Sequence, residues 1–523
     1  MNGRTQSEGR EHRVAALLAD LPLVTTRGRG VLEISTVVDD SRFVEPGALF
    51  LALTHDERKR ARHLEEARQR GARVIVLDGV LPQESFDGLY CCMGDLRSSA
   101  ASIAHRYYGD PTQRLRVIGV TGTNGKTTVS TLLAAILREH GRSTGLQGTL
   151  GQLRDGAPAR AGLTTPSCLQ SATFAREVLD HGGQDLVLEA SSHGLDQGRL
   201  EGMAFDVASF SNLTQDHLDY HCDFERYFQA KCLLFEHLLT SSPKATKYAV
   251  LNLDDPWGYR LWECLTEQPR GLNTVGYSLV NHPAAAYQGT AHGYYPCLVE
   301  LRHPRGQLEL SSQLSGAFNI ENILHAATLA LVLGVPAECI TSALAKHAPV
   351  TGRMELMPSP LGTRIYIDYA HTPGGLERAL SGLETITPGR RMVLFGCGGD
   401  RDRGKRPAMG TVAAGLADLI LLTSDNPRSE VPASILKDIV SGLPTGLPNL
   451  GPEDLGDHAR GYCVIQDRAE AIAKAVAALR AGDTLIIAGK GHEQEQIFAD
   501  RRTPFSDHEQ VTRAYRTLGE VAR

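Results

Sequence analysis

One stretch constrains this chain more than any other. Gly119-Val-Thr-Gly-Thr-Asn-Gly-Lys-Thr-Thr128 follows the apolar run Leu115 to Val120 and opens a helical pattern from Thr127 to His140 that Gly141 can end. Glycines let backbone N–H groups turn inward onto phosphate oxygens. The helix behind them offers the positive end of its dipole. Lys126 has the reach for β- and γ-phosphates, and Thr127 offers a hydroxyl to Mg²⁺. A strand, a glycine turn and a helix in this order dictate an α/β unit. The strict phosphate-loop pattern wants glycine at position 120, where this chain has Val120 between Gly119 and Gly122. The loop is therefore a variant, and the competing reading is an ordinary glycine turn. Gly-Lys-Thr-Thr at the mouth of a helix favours ATP with Mg²⁺.

With 523 residues, three domains are expected. Residues 14–110 read as a small α/β unit, with strand-like runs Gly47 to Leu53 and Arg73 to Leu77 around a charged helix from Glu57 to Arg70. Residues 111–350 open at Pro111 and carry the phosphate loop, with further strands at Leu186 to Glu189 and Val207 to Ser209. Residues 280–296 read as loops. In residues 351–523, strands at Arg364 to Asp368, Met392 to Phe395, Leu419 to Thr423 and Thr484 to Ala488 alternate with helical patterns, which predicts a parallel sheet. Leu443 to Gly461 reads as an inserted loop.

The formal charge of −6, with acids and bases interspersed, argues against a nucleic-acid-binding face. No apolar run reaches the roughly 18 residues of a membrane helix. The polar stretch Met1 to Arg13 lacks the apolar core of a secretory signal and reads as frayed. Ten cysteines with no CxxC spacing speak against a structural zinc site or a disulfide scaffold. The expectation is a reduced, cytoplasmic protein.

Glu189 ends an apolar strand, where open α/β sheets place ligand groups. Its oxygens suit Mg²⁺. Asn212-Leu-Thr-Gln-Asp-His-Leu-Asp-Tyr-His221 is a second polar cluster. His217 is a less usual Mg²⁺ ligand, and on its own the cluster reads as a polar loop with capping duties. Lys231, taken alone, reads as a solvated helix lysine.

The phosphate loop, Glu189-Ala-Ser-Ser-His193, the Asn212 to His221 cluster, Gly316-Ala-Phe-Asn319 with Asn322, Gly352-Arg-Met-Glu355 and Asp368-Tyr-Ala-His-Thr-Pro373 occur in this order. Together they resemble the Mur ligase family of peptidoglycan precursor synthesis. Phe395-Gly-Cys-Gly-Gly-Asp-Arg-Asp402, Lys405-Arg-Pro407, Asp425-Asn-Pro-Arg428 and Gly489-Lys-Gly-His-Glu493 resemble its members that add the third amino acid to UDP-MurNAc-L-Ala-D-Glu. The resemblance spans roughly residues 30–520. It implies three domains: one for the uridine nucleotide, a central P-loop ATPase and a Rossmann-like C-terminal domain. It also implies a mechanism in which the substrate carboxylate takes the γ-phosphoryl group as an acyl phosphate, which the incoming amine converts to an amide. A carboxylate is a poor acyl donor, and phosphorylation supplies the leaving group.

The resemblance carries roles to matching residues. Gly122, Thr123, Asn124, Gly125, Lys126, Thr127 and Thr128 would hold the ATP phosphates. Thr127, Glu189, His217 and Lys231, the last as a CO₂-derived carbamate, would surround Mg²⁺, which overturns the solvated reading of Lys231. Asn319 and Asn322 would contact adenine, and Arg353 and Asp368 the nucleotide. On their own, Asn319 could cap a helix and Asp368 could simply end a strand. Ser41, Thr164, Thr165, Ser191, Gln197 and Arg199 would hold the UDP-MurNAc-dipeptide. The chain departs from the family at Thr54-His-Asp-Glu-Arg-Lys-Arg-Ala-Arg62, where an Asp-Gly stretch is usual, and this leaves the uridine contacts open.

Meso-diaminopimelate carries a carboxylate beside its distal amine that lysine lacks. A site for it needs a cation there, and arginine suits a carboxylate by paired hydrogen bonds. Asp425-Asn426-Pro427-Arg428 resembles the diaminopimelate-adding subgroup of the family, which implies that Arg428 fills that part. Arg401 is a second cation, Glu493 a partner for the ammonium, and Gly489 completes the matching set. The competing reading pairs Arg428 with Glu430. Other readings of the chain are a ligase adding L-lysine or acting on a variant acceptor, a folylpolyglutamate- or cyanophycin-type ligase, and a repurposed nucleotide-binding paralogue. The altered stretch at 54–62 is the last one's only support. A monomer is expected.

Overall fold

In the computed structural model, residues 12–521 are described, apart from 32, 55, 161, 269, 360, 361 and 385. The reading of the polar N-terminus lies almost wholly outside them. Each of the three regions is built on its own main sheet. The central sheet places Arg116–Thr121 in its middle, flanked by Asp185–Glu189 and Val207–Phe210, all parallel. Tyr248–Asn252 and Asn273–Ser278 continue the parallel set outward. The apolar runs are buried on both faces, as parallel strands under helices must be. Ile118 and Val120 pack with Val129, Leu132 and Leu133 of the helix Lys126–Glu139 on one face. Val117 and Leu188 pack with Phe205 and Phe235 on the other.

Both ends of this sheet are antiparallel, and neither was read from the sequence. Thr144–Gly148, Gly151–Arg154 and Ala157–Arg160 form one end, and Tyr287–Tyr294, Cys297–His303 and Gly306–Ser312 the other. The expected loop at 280–296 is therefore corrected: its second half carries the strand Tyr287–Tyr294. Its glycines hid it. Gly289 takes no side chain because Leu279 and Leu324 fill the space where a Cβ would stand, at 2.7–2.8 Å.

The C-terminal sheet runs Glu355–Met357, Arg364–Asp368, Thr484–Ala488, Arg391–Phe395, Leu419–Leu422, Gly461–Val464, parallel except for its first strand. The order reverses beside Thr484–Ala488, so the loops after Asp368, Phe395, Leu422 and Ala488 open on one edge. That is where α/β sheets bind ligands. The N-terminal sheet shares its core with the central region: Leu49, Val74 and Ala100 pack with Cys168, Leu169 and Ala172 of the helix Cys168–Asp180. The cationic run at 54–62 begins the helix Glu57–Gln69, capped by Asp56. Arg60 is spent on Asp78 at 2.7 Å.

Two fully buried histidines bear on stability. Among the described residues, His105 and His325 have no hydrogen-bond partner at either ring nitrogen, and His325 stacks on Tyr277. Burial pushes their pKa down to about 4 and about 3. The unfolded chain binds these protons near pH 6.5 and the folded chain does not. Each histidine thus costs stability progressively below pH 6.5, on the order of 3 kcal/mol by pH 4. Denaturant melts of His325→Leu should show a flatter loss between pH 7 and 4.5 than wild type; an unchanged slope would refute the buried neutral ring.

Candidate active site between the central and C-terminal sheets

The phosphate loop leaves the middle strand through Gly122 at φ +145° and Gly125 at φ +88°. A Cβ at Gly122 would lie 1.9 Å from Ser211 Oγ, and one at Gly125 2.5 Å from Asn322 Oδ1. Gly122, not position 120, makes the turn, and Val120 is core. Asn212 pins the loop, accepting from the Asn124 N–H at 2.9 Å and donating to its carbonyl at 3.2 Å. Lys126 is half-buried rather than solvent-facing. Its Nζ donates to the carbonyls of Gly122 at 2.8 Å and Thr123 at 3.0 Å, and burial lowers its pKa.

Glu189 is 1% exposed. Its carboxylate accepts from Thr127 Oγ1 at 3.0 Å and from the N–H and hydroxyl of Thr149 at 2.8 and 3.0 Å. Arg353, from the C-terminal region, donates to the same Thr127 hydroxyl at 3.1 Å and lies over the Tyr369 ring. Thr127 and Glu189 thus set two hard oxygens side by side, a donor set that fits Mg²⁺. Among the described residues no group of three or more His, Cys, Asp or Glu side chains is gathered to hold a metal. His217 faces Asp216 instead, Nε2 to Oδ2 at 3.3 Å, with its ring edge-on to His193. It sits at φ +55° before a short helix and makes no side-chain cap. Burial above all pushes its pKa down. Burial opposes ionisation of Asp216, but His217, His371, Lys405 and Lys126 hold it below its ordinary value.

Lys231 is not solvated: it is 1% exposed. Its Nζ donates to the Gly122 carbonyl at 2.8 Å, beneath the phosphate loop, and lies over the Tyr227 ring. Burial, then the charge of Lys126, lowers its pKa far below that of a free lysine. Burial thereby favours the uncharged amine over the ammonium.

Asn319 lies inside the helix Ala317–Val332, whose N-cap is Gly316, so it is no cap. Its Nδ2 donates to Ser315 O, and its Oδ1 accepts from Asn322 at 2.9 Å. Asp368 does end its strand, and its carboxylate also accepts from the N–H groups of Met354 and Ala370, both at 2.7 Å. One cavity joins the phosphate loop to Glu189, Asn322, Arg353 and Asp368. A second, larger one shares Thr164, Ser191, Asp216, His217, Tyr369, His371 and Thr372 with it, so the two are contiguous. Thr165, Arg199, Arg401, Asp425, Asn426, Arg428, Gly489 and Glu493 complete the second wall. There Arg199 donates to the Thr165 carbonyl at 2.8 Å and to Gln197 Oε1. Pro427 stands behind the wall, its carbonyl 1.8 Å from where a Cβ of Gly399 would be. Ser41 is not brought to either cavity; it is buried and donates to Glu66 at 2.7 Å.

The pairing of Arg428 with Glu430 does not form. Glu430 is held by Arg406 at 2.8 Å and Arg403 at 3.0 Å. Arg428 Nη1 donates to the Gly399 carbonyl at 2.8 Å, and among the described residues no carboxylate lies within ion-pair distance of it. Its backbone is left-handed at φ +52°, as is that of Asp400 at φ +54°. Burial and then Arg401 lower its pKa. Lys490, 0% exposed, was missed as a site residue, although it lies inside a motif that was noted. It donates to Asn426 Oδ1 at 3.0 Å and to Glu493 Oε2 at 2.8 Å. Asp216 was missed in the same way. Thr149 has no sequence signal at all, and only the fold brings it to Glu189.

Residues 120–330 match the Mur ligase middle domain, and residues 352–491 match the Mur ligase, glutamate ligase domain. The UDP-N-acetylmuramoyl-L-alanyl-D-glutamate–2,6-diaminopimelate ligase of Geobacter metallireducens is 38% identical over 499 residues, covering 94% of this chain and 96% of that protein. A solved structure of a ligase of the same name superposes with a TM-score of 0.66 at 33% identity, over 93% of this chain and 96% of that one. MurF from Acinetobacter baumannii shares the fold, with a TM-score of 0.64 at 18% identity, over 92% of this chain and 96% of that one.

Proposed function

The chain belongs to the Mur ligase family, and on that footing we propose that it is the ATP-dependent, ADP-forming ligase that adds meso-diaminopimelate to UDP-MurNAc-L-Ala-D-Glu in peptidoglycan precursor synthesis. The observation that carries the choice of amino acid is the second cavity, where Arg428 and Arg401, which have no carboxylate partner among the described residues, share the lining with Glu493. Both ends of a distal amino-acid group are thereby met. Among the described residues no helix is long and apolar enough to cross a membrane. The substrates are polar and phosphorylated, and we place the enzyme in the cytoplasm, where ATP is made.

The substrate's terminal carboxylate, held from the Thr165, Ser191 and Arg199 side, attacks the γ-phosphorus, and ADP leaves. Lys126 moves from its loop carbonyls onto the phosphates and neutralises charge that grows in transfer. The free amine of diaminopimelate then attacks the acyl carbon, and phosphate leaves as the amide forms. Thr127, Glu189, His217 and a carbamate on Lys231 would hold Mg²⁺, which when bound neutralises phosphate charge. For the carbamate, the amine of Lys231 bonds to the carbon of CO₂ and sheds one proton to solvent. Under ¹³CO₂, a carbamate carbon resonance should appear in wild type and vanish in Lys231→Arg; a wild-type spectrum without it removes this part of the reading. The reaction itself is tested by ADP release with UDP-MurNAc-dipeptide and a panel of amino acids. Turnover that does not depend on that acceptor would sink the proposal.

A further inference from the structure

Two side chains in the phosphate-loop cavity have no part in the chemistry above. Glu321, on the helix Ala317–Val332, and Arg378, on the helix Pro373–Glu384, both line it. Neither lines the second cavity, whereas Thr164, Ser191 and His217 line both. The phosphates lie over the loop, and the γ end must face the second substrate. The base is left with the far end, formed by Phe318, Glu321, Asn322 and Arg378.

Both side chains are half-buried, and among the described residues neither has a hydrogen-bond or ion-pair partner. Burial raises the pKa of Glu321; Arg378 is near enough to oppose this, while Asp254 and Asp255 add to it. Polar groups withdrawn from water without partners are costly. An acid and a base that share a cavity wall without touching fit a ligand carrying a donor and an acceptor on one edge. Adenine has such an edge: its 6-amino group donates and its N7 accepts, whereas a 6-oxopurine offers acceptors at both places.

We infer that Glu321 and Arg378 are the base-reading edge of this cavity, Glu321 accepting from the 6-amino group and Arg378 donating to a ring nitrogen, so that the two select adenine over 6-oxopurines. This rests on the reading that the cavity holds ATP. A carboxylate set against O6 has no proton to share while ionised, whereas an amide in its place can turn its carbonyl oxygen to a 6-amino group or its NH₂ to a 6-oxo group.

The test compares ATP with inosine triphosphate by kcat/KM, and ADP with inosine diphosphate by calorimetry, on the full chain. Sites built to bond a polar group reject analogues lacking it by large factors, and wild type should favour adenine at least about 100-fold. Glu321→Gln should bring the ratio below about 10-fold, with an unchanged melting temperature showing that the fold is intact. Arg378→Met should weaken ADP binding. The same ratio in wild type and Glu321→Gln overturns the inference, as does equal binding of both bases by wild type, which leaves the ATP reading standing. A wild type that binds neither nucleotide removes both.

Discussion

Lys126→Ala is expected to lose ligation by about 10²- to 10³-fold in kcat/KM while keeping the wild-type melting temperature to within a few degrees. Removing one preorganised charge from a phosphoryl-transfer site typically costs about 3–4 kcal/mol of transition-state stabilisation. The fold should tolerate the change, because among the described residues Lys126 bonds only to loop carbonyls, and Gly122 O keeps Lys231 as a donor. The loop itself is fixed by Asn212 and by its glycines, not by the lysine. Coupled ADP release and a thermal melt on the same preparation decide the matter. Turnover within tenfold of wild type would remove the phosphate-loop assignment; a collapsed melt would make the lysine a structural residue.

Arg428→Ala should cut kcat/KM for meso-diaminopimelate by about 10²- to 10⁴-fold, mostly through KM, with the KM for ATP little changed. In the wild type, lysine should be a poor substrate, since it leaves the half-buried Arg428 without a counter-charge. The geometry sharpens this prediction. An arginine locked onto Glu430 would have been indifferent to the substrate, but Glu430 belongs to Arg406 and Arg403. The measurement is kcat/KM for both amino acids in wild type and variant, with ATP and acceptor saturating. Equal use of lysine and diaminopimelate by the wild type, or no loss in the variant, would refute the role of Arg428.

Much of this site was legible because its residues come in short runs at the ends of parallel strands. Gly122 to Thr128, Glu189, Asp368 and Asp425 to Arg428 each follow an apolar run, and a strand end is the one place where a sheet exposes side chains to a cleft. The antiparallel wings were not legible. Cys297–His303 and Gly306–Ser312 alternate polar and apolar residues across turns such as Pro304-Arg305, a weaker signal than a buried run. Lys231 misled for another reason. Its neighbours Glu225, Arg226 and Gln229 are polar, and its burial comes from the phosphate loop more than a hundred residues earlier, a contact that the helix's own pattern does not encode. Thr149 and Arg353 likewise reach Glu189 and Thr127 only through tertiary approach of separate elements.

His217, Met354, Asp400 and Arg428, all in or beside the cleft, hold backbones at positive φ without being glycine. Such conformations cost about 1 kcal/mol or more each for residues with a Cβ. Glycine would relieve that strain at position 428, at the loss of its cation. Selection for thermal robustness alone should therefore erode this cleft first. A lineage freed from cell-wall synthesis should drift toward glycine or asparagine at these positions and grow sturdier as it loses its substrate.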